Sequence, residues 1–388
     1  MINCPKIIVV GGNAAGAAAA SKAKRVNPGS EVLMIEAGEF ISTGTCEIPY
    51  VLSGEIPDFQ KIINFTAGGF LQRKGVTVYT NCEVVSINRT KKVIAVHNRK
   101  THREFEEKYN SLVLATGSIP KSIPGFPEFA PNLFTLKSIS DLININEYIK
   151  SKKIDSAAVI GSGYIGLEAA EAFHSSGMDV VIIEKDKLPL PNTEPEISRL
   201  ILDTLKNNDI PFYGGSNNIL PVIKNGFIKS INVDGRLIEP GIVLSAVGMK
   251  PNSILAKDAG LEITARGGIK VDRHLKTSDP NIWACGDTIE IINAVTNERD
   301  YLPLATLAHD LAHIAGENAA GGSAIVNPVV KNIAVRIFDK FQASVGITEN
   351  EAKQKSIPFR CIDASAPNLV KAMPGSSQVY GKIVYHAV

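Results

Sequence analysis

Two stretches of the sequence share one grammar, and that repetition constrains the fold more than any other feature. Each reads apolar strand, glycine-rich turn, alanine-rich helix, second strand, acidic residue. The first runs from Lys6 to Val10, through Gly11, Gly12, Asn13, Ala14, Ala15 and Gly16, and along a helix to about Arg25. A turn at Asn27-Pro28-Gly29 leads to a strand that ends at Glu36. The second runs from Ala157 to Ile160, through Gly161, Ser162, Gly163, Tyr164, Ile165 and Gly166, along a helix to about Ser176. Gly177 caps that helix, and the next strand ends at Glu184. The glycines let a strand turn tightly into a helix and let a pyrophosphate lie against the first helical amides. The acid at the second strand's end is placed to bind ribose hydroxyls. The second copy is complete, whereas Asn13 stands where the first should have its middle glycine. Two dinucleotides on one chain imply electron traffic between cofactors.

The two copies are too far apart for a solenoid repeat. A chain of 388 residues divides into two or three domains. Val76 to Phe105 alternates in strand fashion and predicts a β-meander inserted in the first unit, with NRKTHREFEEK as its solvated hairpin and loop. Strands are expected at Ile242–Ala246 and Ile282–Ala284, then a helix from Ala305 to about Asn318. From Ile325 the pattern changes to short alternating strands and one small helix, ENEAKQK, which marks a third domain.

The net charge of +2 offers nothing to nucleic acid or an anionic membrane. No apolar run is long enough to span a bilayer, and the strand that starts almost at the N-terminus leaves no room for a leader peptide. Cys4, Cys46, Cys82, Cys285 and Cys361 show neither paired nor metal-ligand spacing, so no metal site is expected. This odd, scattered set suits a reducing compartment, with the cytoplasm as the expected location.

With these residues in view, the whole chain resembles the FAD-dependent pyridine nucleotide-disulfide oxidoreductases. Ala115-Thr116-Gly117-Ser118-Ile119-Pro120 resembles the family's exit from the FAD module, and AVGMKPN, with Gly248, Pro251 and Asn252, its return from the NAD module. TSDPNIWACGD is similar to the segment whose final aspartate, here Asp287 after Gly286, meets the flavin's ribityl side. LPLATLAHDLAHIAGEN, with Leu304 and Ala305, resembles the helix that starts beside the isoalloxazine ring. The implied fold is α/β: two Rossmann-like three-layer modules and a C-terminal α+β interface domain. Residues 1–120 and 246–324 form the FAD module, 121–245 the NAD(P) module, and 325–388 an interface domain that reads as incomplete beside the family's.

FISTGTCEIPYVLSG places the chain within the family. Ile41 stands where the two-cysteine members have their first cysteine, and the spacing of Cys46, Pro49, Tyr50 and Gly54 is similar to the single-cysteine branch of CoA-disulfide reductases, NADH oxidases and NADH peroxidases. In that branch the cysteine beside the flavin carries electrons, so Cys46 is the implied catalytic residue. It needs thiolate character, which a helix N-terminus favours and Glu47 opposes. Peroxidases and many oxidases place a histidine where Ala14 stands, which shifts the expectation toward disulfide or polysulfide acceptors.

Lys22, Lys24 and Arg25 match a cluster that meets CoA phosphates in relatives, and Ser42, Arg73 and Lys74 join these implied substrate contacts. Tyr164 resembles an aromatic gate over the nicotinamide pocket, and Glu168 an acid near the flavin–nicotinamide contact. Glu184 favours NADH over NADPH by repelling a 2′-phosphate. CoA-active relatives have tyrosines near the stretch NLVKAMPG, where this chain has Lys371 and Ala372. The resemblance thus implies a homodimeric enzyme that passes electrons from NADH or NADPH through FAD and Cys46 to a small acceptor such as CoA disulfide. Reduction of oxygen is the first alternative, and a redox-responsive flavoprotein with little turnover the second.

Overall fold

The computed structural model describes residues 4–370 and 372–387. Nine helices occur among them: α1 (Ala14–Val26), α2 (Ile48–Leu52), α3 (Ala67–Lys74), α4 (Ile139–Lys152), α5 (Tyr164–Ser175), α6 (Pro195–Asn207), α7 (Ile254–Asp258), α8 (Ala305–Ala319) and α9 (Glu349–Gln354). Two five-stranded parallel sheets organise them, so the α/β architecture expected from the repeated grammar is present.

In the first sheet, Lys6–Val10 lies between Glu31–Ile35 and Ser111–Leu114. Thr77–Tyr79 closes one edge and Ile282–Ala284 the other. The second repeats the pattern, with Ser156–Ile160 between Asp179–Ile183 and Ile242–Ser245, and Phe212–Tyr213 and Leu133–Phe134 outside them. Strands covered on both faces read as unbroken apolar runs rather than alternating ones, which is why IIVV and VLMI are buried throughout. Over the first sheet, the alanine-rich α1 lies against α8. Their backbones approach so closely that a Cβ on Gly316 would stand 2.2 Å from the Ala19 carbonyl oxygen.

The chain leaves the first sheet through Ser118–Pro120 and re-enters through Met249–Pro251, and these two segments pair antiparallel. Between them lies the second sheet with its own three-stranded meander, Ile219–Lys224, Phe227–Val233 and Arg236–Ile238.

The expected first meander differs in two ways. Thr77–Tyr79 belongs to the parallel sheet, and the meander consists of Cys82–Asn88, Val93–Asn98 and Glu104–Lys108. Its last strand, EFEEK, falls in the stretch expected to be loop. Glu104, Glu106 and Lys108 alternate outward, as charged side chains do on an edge strand.

The third region holds two antiparallel pairs, Asn332–Ile337 with Lys340–Val345 and Phe359–Pro367 with Gln378–His386, and α9 between them. Lys382 joins this region to the second sheet's module. Its ammonium lies 2.7 Å from Glu349 and 3.0 Å from Glu194, with side-chain exposures of 6% and 9% for Lys382 and Glu194. Lys371 lies outside the described residues. No described helix is long and apolar enough to cross a membrane.

Candidate active site

Both glycine turns are built by close backbone approach. A Cβ on Gly11 would stand 2.2 Å from the Ala115 carbonyl oxygen, and one on Gly16 1.8 Å from the Gly11 carbonyl oxygen. The second turn repeats this, with Gly161 against Ala246 at 2.5 Å and Gly166 against Gly161 at 2.0 Å. Around Gly163 there is no atom within 4 Å of such a Cβ, so that backbone faces open space. Asn13 substitutes for the middle glycine without blocking the turn. Its side-chain oxygen accepts from the Thr43 amide at 3.0 Å and the Thr43 hydroxyl at 3.1 Å, which ties α1 to the segment leading to Cys46.

Each turn is closed by its acid. Glu36 accepts from the amides of Gly12 and Gly38, both at 2.7 Å. Glu184 accepts from the Ser162 amide at 2.7 Å and its hydroxyl at 2.9 Å.

FAD fits the first cradle on the chemistry of its helix starts. Helices α1, α5 and α8 each begin with no side-chain cap and no acid in the first turn, which leaves amide donors for an anion. By contrast α4 and α9, away from the glycine turns, carry full capping boxes from Ser138–Asp141 and Thr348–Glu351. Gly286 draws the starts of α1 and α8 together, since a Cβ there would stand 2.7 Å from Ala15 and 3.6 Å from Ala308.

Beside it, Asp287 accepts from the Ser118 hydroxyl at 3.0 Å, and Lys137 donates to Ser118 at 2.6 Å. Burial pushes Asp287 up while Lys137 and Ser118 draw it down. Burial lowers the Lys137 ammonium against the pull of Asp287 and Asp141. Thr116 donates to the Asn252 carbonyl at 2.6 Å, and Gly117 accepts from the Asn252 amide at 2.9 Å, so the exit and return segments grip each other. Gly248 turns with φ +102° beside them.

Cys46 sits in a short 3₁₀ turn, Thr45–Glu47, that runs into α2. Its thiol reaches solvent, while Cys82 and Cys285 are buried. Protein packed around it pushes the Cys46 thiol up, and Glu47, Glu168 and Asp287 push it further. Glu47 thus acts in the expected direction, against the thiolate. Glu168 on α5 is itself pushed up to about 7 by burial and by Glu171, against the pull of Arg336. Tyr164, at the first position of α5, is half-buried against the second apolar core and is also raised by burial. Ile165 is exposed next to it.

The basic residues separate. Lys24 turns back to the carbonyls of Pro28 and Ser30 at 2.9 and 2.7 Å, and Lys22 pairs with Glu317 at 2.8 Å. Arg25 is exposed. Arg73 and Lys74 lie over the Phe65 ring at 5.7 and 5.4 Å. From α8, His309 and His313 approach each other with ring centroids 4.4 Å apart. His313 is lowered by burial and by the positive neighbours His309, Arg25 and Lys22. Ser42 has a left-handed backbone, φ +48°, and its amide donates to the Gly12 carbonyl at 2.9 Å.

Sequence reading missed Lys137 and Arg336, and it placed Ser118 in the exit segment without giving it a role. The capping box of Ser138 and Asp141 was a visible signal beside Lys137. Arg336 lies in an ordinary alternating strand and gave none.

These features define a two-dinucleotide flavoprotein with an exposed cysteine, Cys46, close to the two glycine turns; Cys4 and Cys361 are exposed elsewhere. The family profile described as pyridine nucleotide-disulphide oxidoreductase matches residues 5–311, and the chain belongs to that family. It is an FAD-dependent NAD(P)H oxidoreductase of the type to which the following relatives belong. A coenzyme A disulfide reductase of Staphylococcus aureus is 31% identical over 383 residues, covering 98% of this chain and 85% of that protein. An NADH oxidase of Methanocaldococcus jannaschii is 30% identical with the same coverage, 98% and 85%. The structure of an NAD-dependent persulfide reductase from A. fulgidus superposes with a TM-score of 0.94 at 29% identity, covering 98% of this chain and 71% of that one.

Proposed function

We propose that the protein uses NADH to reduce a disulfide or polysulfide, with CoA disulfide the first candidate, and that Cys46 carries the electrons. The observation that carries this reading is the placement of Cys46. It is an accessible thiol within electrostatic reach of Glu168, next to the second glycine turn, and of Asp287, at the first cradle. Bound FAD supplies what no side chain can, acceptance of a hydride and delivery of an electron pair to sulfur.

The chain's own residues bind, orient and transfer. The open amides of α1 and α8 take the FAD phosphate and flavin sides, and the turn from Gly161 to Gly166 with Glu184 takes NADH. Tyr164 covers the nicotinamide side. The Cys46 thiolate attacks one sulfur of the acceptor. A new Sγ–S bond forms, the acceptor's S–S bond breaks, and the departing sulfur leaves as a thiol after taking a proton. Glu168, at about 7, still carries protons near neutrality beside that thiol. An electron pair then releases the second thiol and restores Cys46.

Residues 1–120 with 246–324 form the FAD module in this reading, 121–245 the NAD(P) module and 325–388 the interface domain of a homodimer. Lys22 attracts the phosphates of a CoA-linked acceptor as a point charge, and Arg25 does so with its planar fork of donors. A second reading, oxygen reduction, is favoured by the relative named NADH oxidase. Ala14 weighs against it, since it brings no imidazole to the glycine turn.

The deciding experiment compares steady-state turnover of one preparation with CoA disulfide, polysulfide, peroxide and oxygen. Preference for a sulfur acceptor supports the proposal, and fast oxygen consumption without one replaces it by the second reading. Replacing Lys22 and Arg25 by alanine should raise KM for CoA disulfide more than for polysulfide. Equal effects would remove CoA from the reading.

A further inference from the structure

Arg336, on the third region's strand Asn332–Ile337, sits where that region meets both other parts of the molecule. Its guanidinium carbon lies 4.8 Å from the centre of the Tyr50 ring, and Tyr50 is in α2, four residues after Cys46. Two of its nitrogens donate to the two oxygens of Glu55, just beyond α2, at 3.2 and 2.5 Å. The same group stands 3.8 Å from Glu171 on α5. Two residues along, the Phe338 amide donates to the other Glu171 oxygen at 2.6 Å. Beneath this polar layer, Val335 and Ile337 are buried in one apolar cluster with Ile48 and Leu52 of α2 and Leu167 and Ala170 of α5.

An isolated exposed ion pair adds little to stability. A guanidinium that stands over an aromatic ring and is bound to both oxygens of one carboxylate instead fixes geometry. Here it fixes two helices at once, because its partners lie on either side of their contact.

We propose that Arg336 is a positioning residue for Cys46: from the third region it locks α2 against α5 and so sets where the Cys46 sulfur stands relative to Glu168. Its charge acts on the same pair of elements. Glu168 is pushed up by burial and by Glu171 and drawn down by Arg336, and Glu171 is likewise pushed up by burial and drawn down by Arg336. The inference rests on the reading of Cys46 as the redox thiol, yet the alkylation rate of Cys46 reports its position whether or not that reading holds.

The test uses the FAD-loaded protein and the variants Arg336→Ala, Arg336→Lys and Glu55→Gln. Three quantities are measured: Cys46 alkylation by iodoacetamide after reduction, turnover with CoA disulfide, and NADH-dependent reduction of ferricyanide, which takes electrons without the thiol. Arg336→Ala should lower kcat with the disulfide roughly tenfold, as sub-ångström misplacement of a reacting group does, and should leave ferricyanide turnover in place. The neutral limb of its pH profile should move to higher pH, because Glu168 loses a cation. Arg336→Lys should restore that limb and only part of kcat, since it keeps the charge without the two-pronged grip. Glu55→Gln changes an exposed carboxylate and keeps the arginine, so it decides the matter should Arg336→Ala fail to hold FAD. A severalfold loss of disulfide turnover is expected there. Unchanged alkylation, turnover and pH profile in Arg336→Ala, or in Glu55→Gln where the alanine variant does not assemble, would overturn the proposal. Full disulfide turnover by Cys46→Ser would instead sink the functional reading.

Discussion

Glu36 and Glu184 make the same contact in the two nucleotide modules: each places a carboxylate oxygen 2.7 Å from the amide of the residue in second place of its glycine turn, Gly12 and Ser162. The contact holds each carboxylate at the strand end, and in the proposed reading Glu184 binds ribose hydroxyls there and repels a 2′-phosphate. NADH is therefore expected to be preferred over NADPH in kcat/KM. Glu184→Ala should reduce that preference about tenfold, roughly 1.4 kcal/mol. A parent enzyme that favours NADPH would show that Lys185 and Lys187 outweigh Glu184.

Cys46→Ser should lower disulfide turnover more than about 100-fold, as loss of a covalent carrier does. FAD binding and NADH-dependent bleaching of the flavin should survive, since neither needs the thiol. The parent enzyme, reduced and then reoxidised at its flavin, should show a long-wavelength absorbance from the thiolate facing the ring, and the serine variant none. Retention of both band and turnover would make Cys46 a bystander.

Glu168 gives stability a defined pH dependence. Its folded value, about 7, lies above the ordinary 4.5 because burial first and Glu171 second disfavour the charge. The folded protein thus binds more protons than the unfolded chain, and stability falls as pH rises from the ordinary value through about 7. Glu168→Gln removes the charge that must form. It should raise stability at pH 8 by up to roughly 3 kcal/mol from the size of the shift, seen as a higher Tm, and change it little at pH 5. Equal effects at both pH values would assign the change to packing.

The third region exposes Phe341, Val345, Ile362 and Ile383, at 83, 76, 60 and 64%. Large exposed apolar side chains such as these suit an interaction surface. A homodimer is expected in sedimentation at micromolar concentration, and Ile383→Asp should shift it to monomer. A parent chain that is already monomeric would remove the dimer from the reading.

Much of this was legible because backbone geometry leaves marks in sequence. Gly11, Gly16, Gly161 and Gly166 are glycines because a Cβ would strike a carbonyl oxygen, so the two turns announce themselves. The buried parallel strands do so too, through unbroken apolar runs. Side-chain partnerships across long separations leave no such mark. Lys137 reaches Ser118, Arg336 reaches Glu55, and Lys382 reaches Glu194 only after the modules have packed. The edge strand Glu104–Lys108 was hidden for another reason: the charges that keep an edge soluble look like those of a loop.

The uncapped starts of α1, α5 and α8 have a consequence for the life of the protein in its cell. Helix ends left without partners weaken a fold, and a nucleotide that fills them binds the folded chain and not the unfolded one. Each such ligand adds RT ln(1 + [L]/Kd), about 2.7 kcal/mol at a hundredfold excess over Kd. Flavin supply is therefore expected to act on abundance as well as activity, with chains made when FAD is scarce more open to proteolysis.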